Sequence, residues 1–183
     1  PKKRFIIPID NFHVPKKLLK LFKRNNYTYK INNNFKNVIT KCQFAERKDK
    51  GTWINNIILD SYLNLHYEKM AHSVECYDKN QLIGGLYGVH IGGCFFGESM
   101  FSELSNTSKF CLLYLIAILK KNSFSLLDSQ FYNEHLIQFG AFEIENKIYL
   151  EKLTANINNN RVFTTLKNFQ EVLSLLQPNN HKS

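Results

Sequence analysis

LIGGLYGVHIGGCFFGESMFS, residues 82–102, holds six of the chain's eight glycines. It divides into two strand-like runs, 82–91 and 94–101, joined at Gly92-Gly93, a pair that takes the positive φ a tight hairpin turn needs. The stretch therefore reads as a hairpin. Gly84, Gly85, Gly88 and Gly97 fall inside the strands, where glycine weakens a sheet and marks bulges or the close approach of a ligand or another backbone. Beside Gly97 stands one carboxylate, Glu98, so the hairpin resembles the floor of a site. A crowded hairpin without a ligand explains the same glycines, and these residues alone do not separate the two.

Working outward, residues 73–77 read as a strand and Asp78-Lys79-Asn80 as a turn, which makes the hairpin the end of a three-stranded antiparallel meander. On the other side, Ser105-Asn106-Thr107-Ser108-Lys109 leads into residues 110–121, whose near-continuous apolar run predicts a helix buried on most sides. The hydroxyls and unpaired N–H groups of its first turn, with Lys109 near, suit a phosphate; ordinary capping by Ser105 or Thr107 suits them too. Residues 124–129 read as a strand ending in Asp128-Ser129-Gln130, and 133–139 as a short helix closed by Gly140. Ile144 and residues 148–153 close the ordered part. From Asn156 an Asn-rich run dilutes the core signal, and residues 162–176 predict a peripheral helix.

The first quarter is the basic end: of 24 Lys and Arg, fourteen lie in residues 1–50, against three acids, within a formal net charge of +9. Pro15 opens a helix that fades at Asn25-Asn26. On it Lys16, Lys17, Lys20, Lys23 and Arg24 share a face, while Leu18, Leu19, Leu21 and Phe22 supply the buried side. Such a face offers phosphate contacts that orient a nucleic acid without reading its sequence, and it equally suits a solvated surface helix. Residues 27–31 read as a short strand and 35–42 as a helix with Phe35, Val38, Ile39 and Cys42 inward. After a charged loop, a core helix is expected from Thr52 or Asn55 to about Tyr67, with Ile54, Ile57, Ile58, Tyr62 and Leu65 apolar. Trp53, at its mouth, reads as core, although an indole there also suits base stacking.

The 183 residues (21.5 kDa, 44% hydrophobic) suit one domain with a real core. No apolar run approaches the roughly 20 residues of a membrane span, and the basic start lacks the apolar middle of a signal peptide, so a cytoplasmic protein is expected. Cys42, Cys76, Cys94 and Cys111 show no paired ligand spacing, which points to thiols in a reducing compartment and away from a metal or disulfides. Pro1 in place of Met reads as a processed or trimmed start.

Taken together, Gly51-Thr52-Trp53-Ile54, Ala71-His72-Ser73-Val74-Glu75, GGLYGV from Gly84, FGESMFS from Phe96, Ser108-Lys109, Leu127-Asp128-Ser129-Gln130, His135-Leu136 and Gly140-Ala141 resemble the leucyl/phenylalanyl-tRNA-protein transferase family. The resemblance covers roughly residues 1–153. It implies an α+β fold, an acetyltransferase-like (GNAT-type) mixed sheet flanked by helices. The division it suggests is a small basic lobe over residues 1–50, a catalytic domain over 51–155 and an Asn-rich tail over 156–183. It also implies transfer of leucine, phenylalanine or methionine from charged tRNA to the N-terminal α-amine of proteins beginning with Lys or Arg, which marks them for degradation. No cofactor or metal is implied, since the aminoacyl ester is already activated; the partners are aminoacyl-tRNA and acceptor proteins, with no membrane and a monomeric enzyme.

Carried over by position, Asp128 would polarise Gln130, whose amide oxygen would orient the attacking amine, and Glu98 would favour the cationic acceptor. The aminoacyl side chain would enter a pocket of Leu86, Phe95, Leu112, Leu119 and Leu127, positions that plain core also explains. Trp53 matches a tryptophan that stacks on the terminal adenosine; Lys20, Lys23 and Arg24, with Ser108 and Lys109, are the matching tRNA contacts. The family carries several tens of further residues upstream of Pro1, including a second tryptophan over the adenosine. Their absence implies a minimal enzyme or a trimmed chain, and losing one stacking partner costs about 1–3 kcal/mol. Two other readings stand beside transfer by this route: a tRNA-binding module that no longer transfers, and aminoacyl transfer with other donors or acceptors. A CoA-dependent acetyltransferase fits less well, because residues 105–109 lack a glycine-rich pyrophosphate loop.

Overall fold

In the structure, a computed structural model, residues 2–45 and 54–177 are described. They build a seven-stranded mixed sheet in the order β2-β3-β4-β5-β6-β1-β7. The strands are β1 (Lys3–Ile7), β2 (Thr28–Ile31), β3 (Ala71–Asp78), β4 (Gln81–Ile91), β5 (Cys94–Ser102), β6 (Leu126–Asp128) and β7 (Phe142–Glu145). All neighbours run antiparallel except β5 and β6. The helices are α1 (Lys16–Arg24), α2 (Phe35–Phe44), α3 (Asn56–Tyr67), α4 (Thr107–Lys121), α5 (Glu134–Ile137), α6 (Asn146–Asn156) and α7 (Phe169–Leu176).

The expected hairpin is β4 and β5, and Gly92 turns it with a φ of +59°. Because helices cover both faces, seven consecutive residues of β3 are buried and the strand shows no polar alternation. Val74, Cys76, Leu86, Phe95 and Leu127 pack toward α1, α4 and α7, while Ala71, Tyr77, Tyr87, Val89 and Phe101 pack toward α2 and α3. Two bulges bend β4 and β5. At the first, Cys76 faces Gly84 and Tyr77 faces Leu82, so Ile83 is the extra residue. Its carbonyl accepts from the Thr107 hydroxyl (2.9 Å) and the Glu103 N–H (2.8 Å), which ties the entry of α4 to the sheet. A Cβ on Gly84 would lie 2.5 Å from Thr107 Cβ, so glycine is what lets helix and sheet meet there.

The basic first quarter contributes β1 and β2 to this same sheet, with β1 seated between β6 and β7. On α1, Leu18 and Phe22 are buried as expected, but Leu21 lies outward with the lysines. The expectation of α3 as a core helix needs correction: none of its residues is buried, Ile57 is 77% exposed, and Ile58, Tyr62 and Leu65 are only half covered.

The helix near the C-terminus is not peripheral. Phe163, Leu166, Val172 and Leu176 enter the main core, and Phe169 meets Phe22 with ring centroids 5.0 Å apart. Residues 156–168 carry few apolar groups, and two of them, Phe163 and Leu166, are anchors. Phe163 stacks on His72 at 4.2 Å, and Asn122 holds Thr164 through its side chain. His72 is itself bonded to His90 (2.8 Å) and Asn32 (2.9 Å), and burial pushes its pKa down to about 3. Among the described residues no helix is long and apolar enough to cross a membrane.

Candidate active site at the split between parallel strands

β5 and β6 run side by side only through Cys94–Leu126, Phe95–Leu127 and Phe96–Asp128. Beyond that they part. The cause is local: Gly88 faces Gly97 and Tyr87 faces Ser99, leaving Glu98 as an unpaired bulge residue that bends β5 and turns its own side chain out of the ladder. Gly88 is required at this approach, since a Cβ on it would meet the Phe96 carbonyl oxygen at 2.3 Å. On the other strand the chain leaves β6 through Ser129 and Gln130, the latter in the left-handed region with φ +70°.

Gln130 closes the gap that the bulge opens. Its Nε2 donates to the Gly97 carbonyl (3.1 Å) and to Glu98 Oε2 (3.1 Å). Both partners can only accept, which fixes the amide orientation and turns Oε1 away from them. Asp128 is wholly buried at the root of the split. Its Oδ1 accepts from the main-chain N–H of Gln130 (2.8 Å); its Oδ2 accepts from Arg4 Nη2 and the Tyr149 hydroxyl (2.7 Å). Asp128 and Gln130 are therefore hydrogen-bonded through the Gln130 main-chain N–H, which leaves the Gln130 amide to reach Gly97 and Glu98. Burial first, then the bond to Asp128, pushes Tyr149 up to about 12. Burial, then the Asp128 charge, pushes the Cys94 thiol up to about 11, which excludes it as a thiolate nucleophile at neutral pH. Across the split, burial and then the charge of Glu98 hold the Tyr62 hydroxyl above its ordinary range.

A cavity of about 270 Å³ occupies the split. Leu86, Leu112 and Leu127 line it as expected, joined by Ile7, Leu115 and Leu136, with Glu98, Asp128 and Ser129 as its polar part. Phe95 and Leu119 do not line it; both are completely buried in the core behind. A second, wider cavity of about 590 Å³ lies toward α3, where Tyr62, Ser61, Phe96 and Arg4 surround Glu98 and Gln130. Glu98 borders both cavities.

The expected tRNA contacts are dispersed. Lys20, Lys23 and Arg24 line a shallow groove on α1 with Lys16 and Leu19. At the start of α4 the phosphate reading weakens, because the Ser108 N–H already donates to the Ser102 hydroxyl (2.9 Å), which also meets the Ser108 hydroxyl (2.7 Å). Neither Ser105 nor Thr107 caps the helix; the cap comes from the end of β5. Lys109 is half-buried beside it. Trp53 lies outside the described residues. Among the described residues no group of three or more His, Cys, Asp or Glu is placed to hold a metal.

Residues 6–154 match the family model of leucyl/phenylalanyl-tRNA protein transferase. The chain belongs to that family. Curated leucyl/phenylalanyl-tRNA–protein transferases of Zymomonas mobilis and Hyphomonas neptunium are each 44% identical to it, over 86% and 85% of this chain and 59% and 60% of theirs. That of Desulfotalea psychrophila is 45% identical over 82% of this chain and 66% of its own. The chain thus spans about 60% of the length of the first two transferases. A solved structure of a functionally unknown conserved protein from Staphylococcus epidermidis shares the fold, with a TM-score of 0.50 and 9% identity over 78% of this chain and 57% of that one. The transferase match takes in Glu98, Asp128, Gln130 and Tyr149, and leaves out Arg4 and α7.

Among the site residues that sequence reasoning missed are the cavity residues Ile7, Leu115, Leu136 and Tyr62 and the two that grip Asp128, Arg4 and Tyr149. Arg4 sits in a Lys-Lys-Arg run that reads as surface charge, and Tyr149 in a segment that reads as core. No local spacing connects them with Asp128, which is 124 residues from one and 21 from the other.

Proposed function

We propose that this chain transfers leucine, phenylalanine or methionine from charged tRNA to the N-terminal α-amine of proteins that begin with Lys or Arg. The observation that carries the reading is the Gln130–Glu98 bridge across the split, standing between an apolar cavity and a second, more open one. The apolar cavity has room for a single large side chain and no charge at its leucine wall, which supports an apolar donor. Such a wall separates leucine from methionine or phenylalanine only weakly, at about 1–3 kcal/mol per methylene. The wider cavity supplies room for the acceptor and the nucleotide end of the donor.

In this reading the amine nitrogen attacks the ester carbonyl and the carbon–oxygen bond to the ribose breaks. A proton leaves the amine and the departing ribose oxygen takes one up. Gln130 Oε1 accepts a hydrogen bond from the amine and holds its lone pair toward the carbonyl, while Glu98 offers a negative charge to the cationic acceptor. The ester is already activated, so orientation and proton management suffice, and the reading uses neither CoA nor metal. The splay of parallel β5 and β6 supports an acetyltransferase-like (GNAT-type) sheet. The α1 lysines and Arg24 are proposed as phosphate contacts for the acceptor stem and Trp53 as the adenosine platform, in a monomeric enzyme of the cytoplasm whose products are marked for degradation.

The test is transfer of radiolabelled leucine from Leu-tRNA to a peptide beginning with Arg, with tRNA binding measured in parallel. Wild type is expected to transfer, and Asp128→Ala and Gln130→Ala to lose transfer by about 100-fold or more while tRNA binding is kept. A folded, tRNA-binding wild type that transfers to no acceptor sinks the reading and leaves a binding module.

A further inference from the structure

Asp128 divides its two oxygens between two tasks. Oδ1 holds the Gln130 N–H, and Oδ2 is gripped by Arg4 and Tyr149. A wholly buried carboxylate is costly unless it is paired and hydrogen-bonded, so the orientation of this one is set by the partners that remain fixed when the turn moves. Arg4 belongs to β1 and Tyr149 to α6, both regular elements. The two also support each other, since the Arg4 guanidinium lies 5.1 Å from the centre of the Tyr149 ring.

The turn that follows is pinned to the same strand. The Ser129 N–H (3.0 Å) and hydroxyl (2.8 Å) both donate to the Phe5 carbonyl, and the Phe5 N–H donates to the Gln130 carbonyl (3.3 Å). Gln130 holds a φ of +70° that a non-glycine residue keeps only when its surroundings impose it. What imposes it is the Asp128 Oδ1 bond on one side and the β1 contacts on the other. The side-chain amide is then delivered across the split to Gly97 and Glu98.

We propose that Arg4 and Tyr149 are positioning residues for the transfer reaction: by holding Asp128 Oδ2 they set the Asp128–Gln130 turn and, through it, the reach of the Gln130 amide. The inference rests on the reading of Gln130 given above. Tyr149 borders neither cavity, so its loss acts on turnover more than on binding, whereas Arg4 also lines the wider cavity and its loss reaches binding as well.

The experiment uses the full chain with Tyr149→Phe, which removes one hydroxyl, and Arg4→Lys, which keeps a cation without the fork. Both are expected to fold and to lose at least ten-fold in kcat, and Tyr149→Phe, which alters no cavity wall, is expected to bind tRNA within two-fold of wild type and to keep KM within about three-fold. The double variant is expected to lose little more than the worse single one, because both groups act on the same oxygen. Arg4→Ala is expected to recover turnover with added guanidinium, which a general loss of packing would not show. A second readout needs no activity: exchange of the Gln130 backbone amide, followed by NMR, is expected to quicken at least ten-fold in Tyr149→Phe while the amides of β3 and β4 stay unchanged. Unchanged kcat in both single variants overturns the inference, as does unaltered Gln130 exchange or a uniform loss of protection across the sheet. If wild type transfers nothing, the function reading fails by itself, and the exchange measurement still decides whether Arg4 and Tyr149 hold the turn.

Discussion

Glu75, in the middle of β3, and Asp128, at the end of β6, are both withdrawn from solvent. Glu75 accepts from the hydroxyls of Ser73 and Tyr77 (2.7 Å each) and from the Asn34 N–H (2.9 Å). All of these are neutral, and they tie the start of α2 to the sheet. Asp128 has a guanidinium, a phenol and one main-chain N–H. Both side chains are therefore well satisfied, and burial with hydrogen bonding does not tell a site from a fastening. The difference lies next door. Glu75 has paired strands on both sides, which stay paired past the bulge at Ile83, whereas Asp128 stands where a bulge parts two strands, beside a cavity and a residue held at positive φ. The chemistry is read from the break in the regular structure and not from the buried charge.

The sharpest way to break this contrast is to neutralise each carboxylate in turn. Asp128→Asn is expected to lower transfer by roughly 10²–10⁴-fold. Glu75→Gln is expected to leave the transfer rate of the folded protein within two-fold. Its loss is one of stability, about 2 kcal/mol or roughly 4–8 °C in Tm, from weakening hydrogen bonds to a charged acceptor. Equal rate losses in calorimetrically intact variants would erase the distinction. The same division applies to leucines on α4. Leu119→Ala, in closed core, is expected to cost about 2–5 kcal/mol by thermal unfolding with donor preference unchanged. Leu112→Ala, at the cavity wall, is expected to cost less and to move preference toward phenylalanine by roughly ten-fold in competition between Leu-tRNA and Phe-tRNA.

The smallest effect concerns His72, another buried polar group of β3. Its folded pKa, about 3, lies below the ordinary value of 6.5. Its contribution is therefore fully present above pH 6.5. Between 6.5 and about 3 the unfolded chain takes a proton that the folded chain refuses, so stability falls as pH falls. Thermal unfolding from pH 7 to 5 is expected to show the decline, and His72→Gln to flatten it by about 1 kcal/mol per pH unit. An unchanged slope in the variant would remove His72 from the account.

What was legible in the sequence is what local spacing encodes. Gly92-Gly93 announced the hairpin turn, and the glycines inside the strands announced a bulge beside Glu98. The unbroken apolar run from Phe110 to Leu119 announced a helix buried on most sides, and all of it but Tyr114 is buried. Three things escaped for physical reasons. The cap of α4 is Ser102, which belongs to the preceding strand and not to the helix entry. The tail's anchors, Phe163 and Leu166, stand among Arg, Thr and Lys just after an Asn-rich run and outside any helix, yet both are buried. Arg4 and Tyr149 reach Asp128 only through sheet pairing and helix packing, which no window of sequence contains.

Strand order and chain order disagree most at β1, and this has a consequence for biosynthesis. The first of the described strands in chain order is seated between the last two, β6 and β7. While the ribosome is still at work, β1 has no neighbour to pair with, and Arg4 has no carboxylate to grip. The site is therefore completed only when residues as late as Tyr149 have left the exit tunnel. A site assembled in that order stays incomplete until α6 is free to pack, and gains its turn in the same event that closes the sheet.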